Sequence, residues 1–462
     1  MKLPAFLFFV LFLVSHAAAE KPNILFIFAD DHAYNCVASL GNDEIQTPNL
    51  DKLVNGGTTF THAYNQGSWS GAVCIASRTM LVTGLNLWKA EKIYKETDKQ
   101  FRQQNKMWPQ LLAAAGYDTY FTGKWHIRAD AEQSFKVARN VRPGMPKAMP
   151  EGYNRPQGPD DKTWLPWDKK MGGFWEGGRH WSAIVADDAD DYLGMAKDSD
   201  APFFMYIAFN APHDPRQAPK KFVDDYPLEN ISLPQPFYEK YEFAEEMASG
   251  ERLRDEKLAP FPRTEYAVKV NRQEYYAIIT HMDFQIGRIL KALEESGKAD
   301  NTYIVFTADH GLAVGHHSLM GKQNMFDHSV RVPWIITGPG IPAGKKIDEP
   351  IYLQDVMATS FEIAGMEKPD HVDFQSVLPL IRSESKGRSA VYGGYLDKQR
   401  SITIGNKKLI HYPEAKKTLY FDLEQDPLET NASEPSENDK ATLVAAFEKL
   451  QKEVGDELVI EW

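Results

Sequence analysis

"PNILFIFADD" at residues 22–31 is an unbroken apolar run that ends in two aspartates. It lacks the polar–apolar alternation of a half-exposed strand, so the strand expected here is buried on both faces. Such strands belong to parallel sheets covered by helices. "PFFMYIAFNAPHDP" (202–215) and "TYIVFTADHG" (302–311) repeat the design, an apolar strand with polar residues at its carboxyl end, and "VPWIITGPG" (332–340) is a further strand closed by turn residues. Helical spacing fills the intervals, as in "QLLAAAGY" after Trp108-Pro109, "EYYAIITHMDFQIGRILKALEESG" (274–297) and "LQDVMATSFEIAG" (353–365), the last two ending in glycine. The alternation predicts an α/β fold, a large mostly parallel sheet sandwiched between helices. From about residue 370 short β-like runs ("SAVYGGYL", "RSITIGNKKLIHY", "KTLYFDL") precede one helix, "KATLVAAFEKLQKEVG". This predicts a smaller C-terminal subdomain, residues 371–462, of antiparallel sheet plus helix. Residues 128–182 are too rich in Pro, Gly and Trp for regular elements.

The start of the chain carries a different signal. "MKLPAFLFFVLFLVSHAAAE" has a basic tip, a short apolar core and small residues before Glu20, the pattern of a secretory signal peptide over residues 1–19. The run is too short for a comfortable membrane span and no comparable run follows, so a secreted or periplasmic protein is expected, with the main domain at 20–370. Two cysteines, Cys36 and Cys74, do not make a disulfide scaffold, although they could bridge in an oxidising compartment. Hydrophobic content of 43% with 25% charged residues is that of a globular chain, and a formal net charge of −12 without any basic stretch excludes nucleic acid as a partner. An anionic substrate would need a local positive cluster, because charge farther than about 10 Å is screened at ordinary salt.

In parallel sheets ligands bind outside the carboxyl ends of the strands, and Asp30, Asp31, His213, Asp309 and His310 all fall there. Adjacent aspartates with a third carboxylate and an imidazole suit a hard divalent cation, Ca²⁺ or Mg²⁺, with Mn²⁺ or Zn²⁺ open. "SGAVCIASRTMLVTG" (70–84) places Cys74 where a helix should begin. A helix N-terminus, Arg78 and a nearby cation together favour a thiolate.

"CIASRTMLVTG", "ADD" near the start, "GKWH" (123–126) and "ADHG" followed by "MGKQNMFDHSVRVP" together resemble the formylglycine-dependent sulfatases of the alkaline phosphatase superfamily. The resemblance covers nearly the whole chain after the leader, in the right order. It implies that Cys74 is oxidised to formylglycine (3-oxoalanine) by a maturation enzyme. The hydrated aldehyde would attack sulfur through one hydroxyl, forming a covalent sulfoenzyme, and expel sulfate through the other. It further implies that Asp30, Asp31, Asp309, His310 and the modified Cys74 hold the cation, and that Arg78 holds the diol and neighbouring carboxylates. Lys124 and Lys322 would neutralise the sulfate oxygens, His126 would receive the diol proton, and His213 would protonate the departing alkoxide. Ala76 stands where the best-known members carry proline and His310 where many carry asparagine. Other members of the family have alanine or histidine there.

The substrate is less legible. Trp164, Trp167, Trp175 and Trp181, with Arg179 and His180 alongside, suit the apolar faces of sugars and a neighbouring anion. "GHHSLMGKQNMFDH" adds His316, His317, Gln323, Asn324 and Asp327 as hydrogen-bonding groups for hydroxyls. A sulfated carbohydrate is therefore expected, with an aryl sulfate or choline sulfate as smaller alternatives. A phosphonate or phosphate ester hydrolase on the same scaffold is the enzymatic rival, against which stands the lack of a further Asp/His strand-end group for a second metal cluster. An unmodified anion-binding protein is the non-enzymatic one.

Overall fold

The computed structural model describes residues 20–147 and 149–462, so the leader expected at 1–19 lies outside the described residues. In chain order the strands are β1 Asn23–Ala29, β2 Thr58–Phe60, β3 Ala63–Tyr64, β4 Gly67–Ser68, β5 Asp118–Lys124, β6 Val137–Arg142, β7 Phe203–Ala208 and β8 Thr302–Ala308. β9 Arg331–Val332, β10 Trp334–Thr337, β11 Lys345–Ile347 and β12 Ile351–Tyr352 follow, then β13 Val391–Tyr395, β14 Gln399–Ile404, β15 Lys407–Tyr412 and β16 Lys417–Asp422.

β1 is buried at every position, as its apolar run requires, and lies inside an eight-stranded sheet of order β11-β2-β10-β8-β1-β7-β5-β6. Strands β8, β1, β7, β5 and β6 are mutually parallel. β10 runs antiparallel to both of its neighbours. Phe26 of β1 meets Tyr206 of β7 at 4.9 Å and Trp108 at 5.1 Å between ring centroids. Phe121 of β5 shares that face with Tyr206, whereas Tyr120, one residue out of phase, meets Tyr192 at 5.1 Å. The helices Trp108–Ala114 and Trp181–Lys197 therefore cover opposite faces. The long helix Glu265–Glu295, whose cap Thr264 accepts from the Ala267 N–H, packs on the second of these. Each fully buried Phe, Ile or Leu of β1 contributes about 1.5–3 kcal/mol, which fixes the strand whose end carries Asp30 and Asp31.

The second sheet has order β16-β15-β14-β13-β4. Its helix Glu437–Val454 is capped by Ser436 and buries Leu443, Phe447 and Val454, with Phe447 stacked on Tyr392 at 5.5 Å. Antiparallel sheet plus helix matches the expectation, with one addition from far upstream: β4 pairs parallel to β13. Gly67 makes this possible, since it has φ +106° and a Cβ there would fall 1.9 Å from the Gly394 carbonyl oxygen. Within 128–182, otherwise turns and short helices, β6 forms the sheet's edge, a strand that no alternation in "VARNVR" announces. Cys36 and Cys74 are both free and buried, so no disulfide joins them. No helix of the described residues is long and apolar enough to cross a membrane.

Candidate active site

Four adjacent parallel strands deliver their polar residues to one edge of the sheet. β1 leads into Asp30 and Asp31, β8 into Asp309 and His310, β7 into the turn that carries His213, and β5 ends at Lys124. These six residues, with Cys74, Arg78 and Lys322, are all at most 4% exposed. The end of β5 is shaped by Gly123, at φ +97°, where a Cβ would fall 1.7 Å from the Ala208 carbonyl oxygen and where the β5–β6 register shifts. Asp31 and His126 also hold positive φ, of 67° and 53°, a conformation that side-chain-bearing residues keep only under the constraint of their surroundings.

Cys74 is the second residue of the helix Val73–Thr83, and the residue before that helix, Ala72, offers no capping side chain. The first N–H groups of the helix thus give the thiol a positive field. Its Sγ lies 3.2 Å from His310 Nε2, 3.3 Å from Asp30 Oδ1, 3.9 Å from Asp31 Oδ1 and 3.6 Å from Lys322 Nζ. Burial disfavours the thiolate, but Lys124, Lys322 and His310 outweigh it and hold the thiol well below its ordinary value. Arg78, one turn further along the helix, donates through Nε to Asp309 Oδ2 at 2.9 Å and through Nη1 to the Lys124 carbonyl at 2.8 Å.

Each lysine rests on one carboxylate of the aspartate pair. Lys124 Nζ reaches Asp30 Oδ2 at 2.5 Å, and Lys322 Nζ contacts both oxygens of Asp31 at 2.9 Å. Lys322 Nζ also lies 3.0 Å from His213 Nε2, while His213 Nδ1 donates to the Asp214 carbonyl at 2.8 Å. His126 has a ring packed against Gly144, where a Cβ would come within 2.5 Å of it, and its Nδ1 has no hydrogen-bond partner among the described residues. Burial pulls that ring below its ordinary value, which suits an acceptor of protons.

Donor atoms of Asp30, Asp31, Cys74, Asp309 and His310 all lie within 4.8 Å of one another. His310 Nδ1 donates to the Gly311 carbonyl at 2.9 Å, which aims Nε2 at the cluster. Burial, then the neighbouring Asp309 and Cys74, push the Asp30 carboxyl well above its usual range, against Lys124. A crowded, oxygen-rich set of this kind fits a hard divalent cation. A second grouping, Asp31, His213 and Asp214, overlaps the first at Asp31. Both oxygens of Asp214 are taken by Arg254, so it does not supply an independent second metal cluster.

Of the side chains expected to read the substrate, Gln323 lies at this site, donating to Asp255 Oδ2 at 2.8 Å and to the Gly71 carbonyl at 3.0 Å. Trp175, Arg179, His180, His317 and Asp327 are engaged away from it. Trp175 is buried and donates to the Pro166 carbonyl, and Arg179 pairs at the surface with Asp187 at 2.6 Å. His180 caps the helix Trp181–Lys197 through Ser182 N and donates to the Gln217 carbonyl. His317 stacks on Phe326 at 3.8 Å between centroids, and Asp327 pairs with Lys408 at 2.7 Å. The tryptophans likewise pack the loop: Trp164 lies under Arg155, Trp181 under Arg142, and Lys220 covers Trp167. Sequence reading missed Asp214, Arg254 and Asp255, which stand behind His213 and Lys322. Only Asp214 was signalled, by its place beside the histidine in "NAPHDP".

A family model described as Sulfatase matches residues 22–366, and one for the C-terminal part of N-sulphoglucosamine sulphohydrolase matches residues 315–456. An arylsulfatase of Clostridium perfringens is 30% identical over 446 residues, spanning 88% of this chain and 89% of its own. An N-acetylglucosamine-6-O-sulfatase of Bacteroides thetaiotaomicron is 26% identical, spanning 89% of this chain and 82% of its own. A solved structure of a protein in complex with its substrate D-glucosamine-2-N,6-O-disulfate shares the fold, with a TM-score of 0.73 at 23% identity over 95% of this chain and 99% of that one.

Proposed function

The chain belongs to the sulfatase family and is a sulfuric ester hydrolase, and on that premise we propose that it is an exported enzyme that desulfates a carbohydrate with a formylglycine made from Cys74. The observation that carries the nucleophile assignment is the position of Cys74 Sγ, at a helix N-terminus and within 4 Å of two carboxylates, an imidazole and an ammonium group. Hydrated, the aldehyde supplies one hydroxyl to attack sulfur and a second to release sulfate. A divalent cation, Ca²⁺ by the oxygen-rich donor set, would be held by Asp30, Asp31, Asp309, His310 and residue 74, where it would polarise the sulfate oxygens and acidify the attacking hydroxyl.

The protein's own groups divide the remaining work. Lys124 and Lys322 each stand beside an aspartate at the nucleophile and are the cations available to sulfate oxygens. Arg78 fixes Asp309 and the backbone of Lys124 to the nucleophile's helix. His126 takes the proton from the nucleophile, and His213 Nε2, oriented by the bond from Nδ1 to Asp214, gives one to the departing oxygen. The carbohydrate assignment rests on the names of the relatives and on export, and export on residues 1–19.

The mass of the proteolytic peptide carrying residue 74, from protein purified from its own host, tests the nucleophile. Sulfur replaced by an aldehyde oxygen is the expected result, and an intact cysteine in fully active protein rules it out. Sulfate release from sulfated glucosamine and galactose tests the substrate class. Turnover of aryl sulfates or phosphonate esters but of no sulfated sugar would remove the carbohydrate.

A further inference from the structure

Three successive charged residues, Arg254, Asp255 and Glu256, open the short turn Asp255–Leu258, yet Asp255 and Glu256 are only 3% and 1% exposed. A buried charge needs a partner to hold it, and the partners of this trio lead back to His213 and Lys322, on one side of the site. Resting on the function proposed above, we propose that this turn is the positioning element of that side, with Arg254 serving the general acid His213, and Asp255 and Glu256 serving Lys322.

Arg254 forks onto Asp214, with Nη1 at 2.5 Å from Oδ2 and Nη2 at 3.1 Å from Oδ1. The planar pair fixes the carboxylate in two dimensions. Asp214 Oδ1 then faces His213 Nδ1 at 3.1 Å, so the imidazole cannot turn its Nε2 away from the site. Tyr153 Oη closes the outer edge of the guanidinium at 3.1 Å. The second residue of the trio shares Arg254 Nη2 at 2.5 Å, faces Lys322 Nζ at 3.7 Å and accepts from Gln323 Nε2. Gln323 Oε1 in turn accepts from the Lys322 N–H at 2.9 Å. The third accepts from the backbone N–H groups of Met320 and Gly321, at 2.9 Å each to the nearer oxygen, and is neutralised by Arg263 at 2.5 Å. Gly321 leaves no slack, because a Cβ there would come within 2.8 Å of the Asp255 Cβ.

The two halves of the turn serve different events. Protonation of the leaving oxygen matters for a basic alcohol and little for an acidic phenol, whereas charge on the sulfate oxygens must be met for every ester. The test compares kcat/KM on an alkyl sulfate, phenyl sulfate and 4-nitrophenyl sulfate. Arg254→Met should lose at least about tenfold on the alkyl ester and less than about threefold on the nitrophenyl ester, with Arg254→Lys recovering part of the loss. Asp255→Asn should lose a similar factor on all three. A uniform loss in Arg254→Met, or an Asp255→Asn effect as dependent on the leaving group, overturns the assignment. Should Arg254→Met fail to fold, Asp214→Asn, of the same volume, carries the same expectation and is overturned by the same uniform loss. A wild-type enzyme that hydrolyses none of the three esters removes the sulfate-ester reading itself; one that hydrolyses them leaves only the role of the turn at stake.

Discussion

Lys322 and Asp327 lie five positions apart on one loop and end in two different buried clusters. In the first, the donor atoms of Asp30, Asp31, Cys74, Asp309 and His310 converge on one point, and the lysines stand at its rim. In the second, Lys408 lies between Asp327 and Glu429, 2.7 Å from each, and the Asp327 N–H closes onto Glu429 Oε2 at 2.6 Å. The rings of His317 and His328 fill the space beside that pair, with nitrogens 3.3 Å apart. Carboxylates, imidazoles and lysines occur in both places. What separates them is whether the acceptors face one another with room for a cation or face a lysine that already satisfies them. Convergence of donors, more than their composition, marks the candidate active site.

The comparison breaks most visibly at residue 74. Cys74→Ala should lower sulfate release by about 10⁴-fold or more with little change in melting temperature, and a variant that keeps substantial turnover would dissolve the distinction. In the other cluster, Lys408→Met leaves two buried carboxylates without their cation and should cost about 3–5 kcal/mol of stability. Thermal unfolding reads that loss, while turnover per folded molecule at low temperature should stay unchanged; a matching fall in turnover would mean that the second cluster serves the chemistry. Lys322→Ala should cost about 10²–10³ in kcat per folded molecule, and dialysis against a chelator should remove activity that Ca²⁺ restores. Activity that survives chelation rules out the cation site.

A smaller effect is a dependence on pH. Burial and then the neighbouring Asp327 outweigh Lys408 and hold the Glu429 carboxyl up at about 7, against 4.5 for an unperturbed glutamate. The folded protein keeps a proton there that the unfolded chain releases. The contribution is therefore full below pH 4.5 and is lost as pH rises through 7. Glu429→Gln should remove that slope, shifting the melting temperature by on the order of a degree or two across the window. Parallel curves for wild type and variant would show that Glu429 stays ionised throughout.

The same contrast explains what the sequence could and could not tell. Apolar runs that stop abruptly at "ADD" and "ADH" are legible because burial on both faces forbids polar residues until the strand leaves the sheet. The carboxyl edge is thus written into β1 and β8. Lys124 was legible from the motif "GKWH" alone, and its approach to Asp30 depends on Gly123. His317 and Asp327, by contrast, belong to a loop without period, and nothing local distinguishes a side chain that faces the site from one that faces Phe326 or Lys408. Trp175 and His180 misled for the same reason: an indole and an imidazole in a Pro/Gly-rich stretch suit sugar binding and loop packing equally. "RLRDEK" reads as a solvated run of charge, and only the fold reveals that Asp255 and Glu256 turn inward.

The pairing of β4 with β13 carries a consequence for biosynthesis. A chain emerging in order exposes Gly67 and Ser68, and Cys74 just beyond them, long before Gly394 and Tyr395 exist to pair with them. Cys74 is 2% exposed once folding is complete, beyond the reach of another protein's active site. The interval between translation of the first strands and of the last is therefore the period in which residue 74 is open to other proteins, and its length is set by how late in the gene the partner of β4 is encoded.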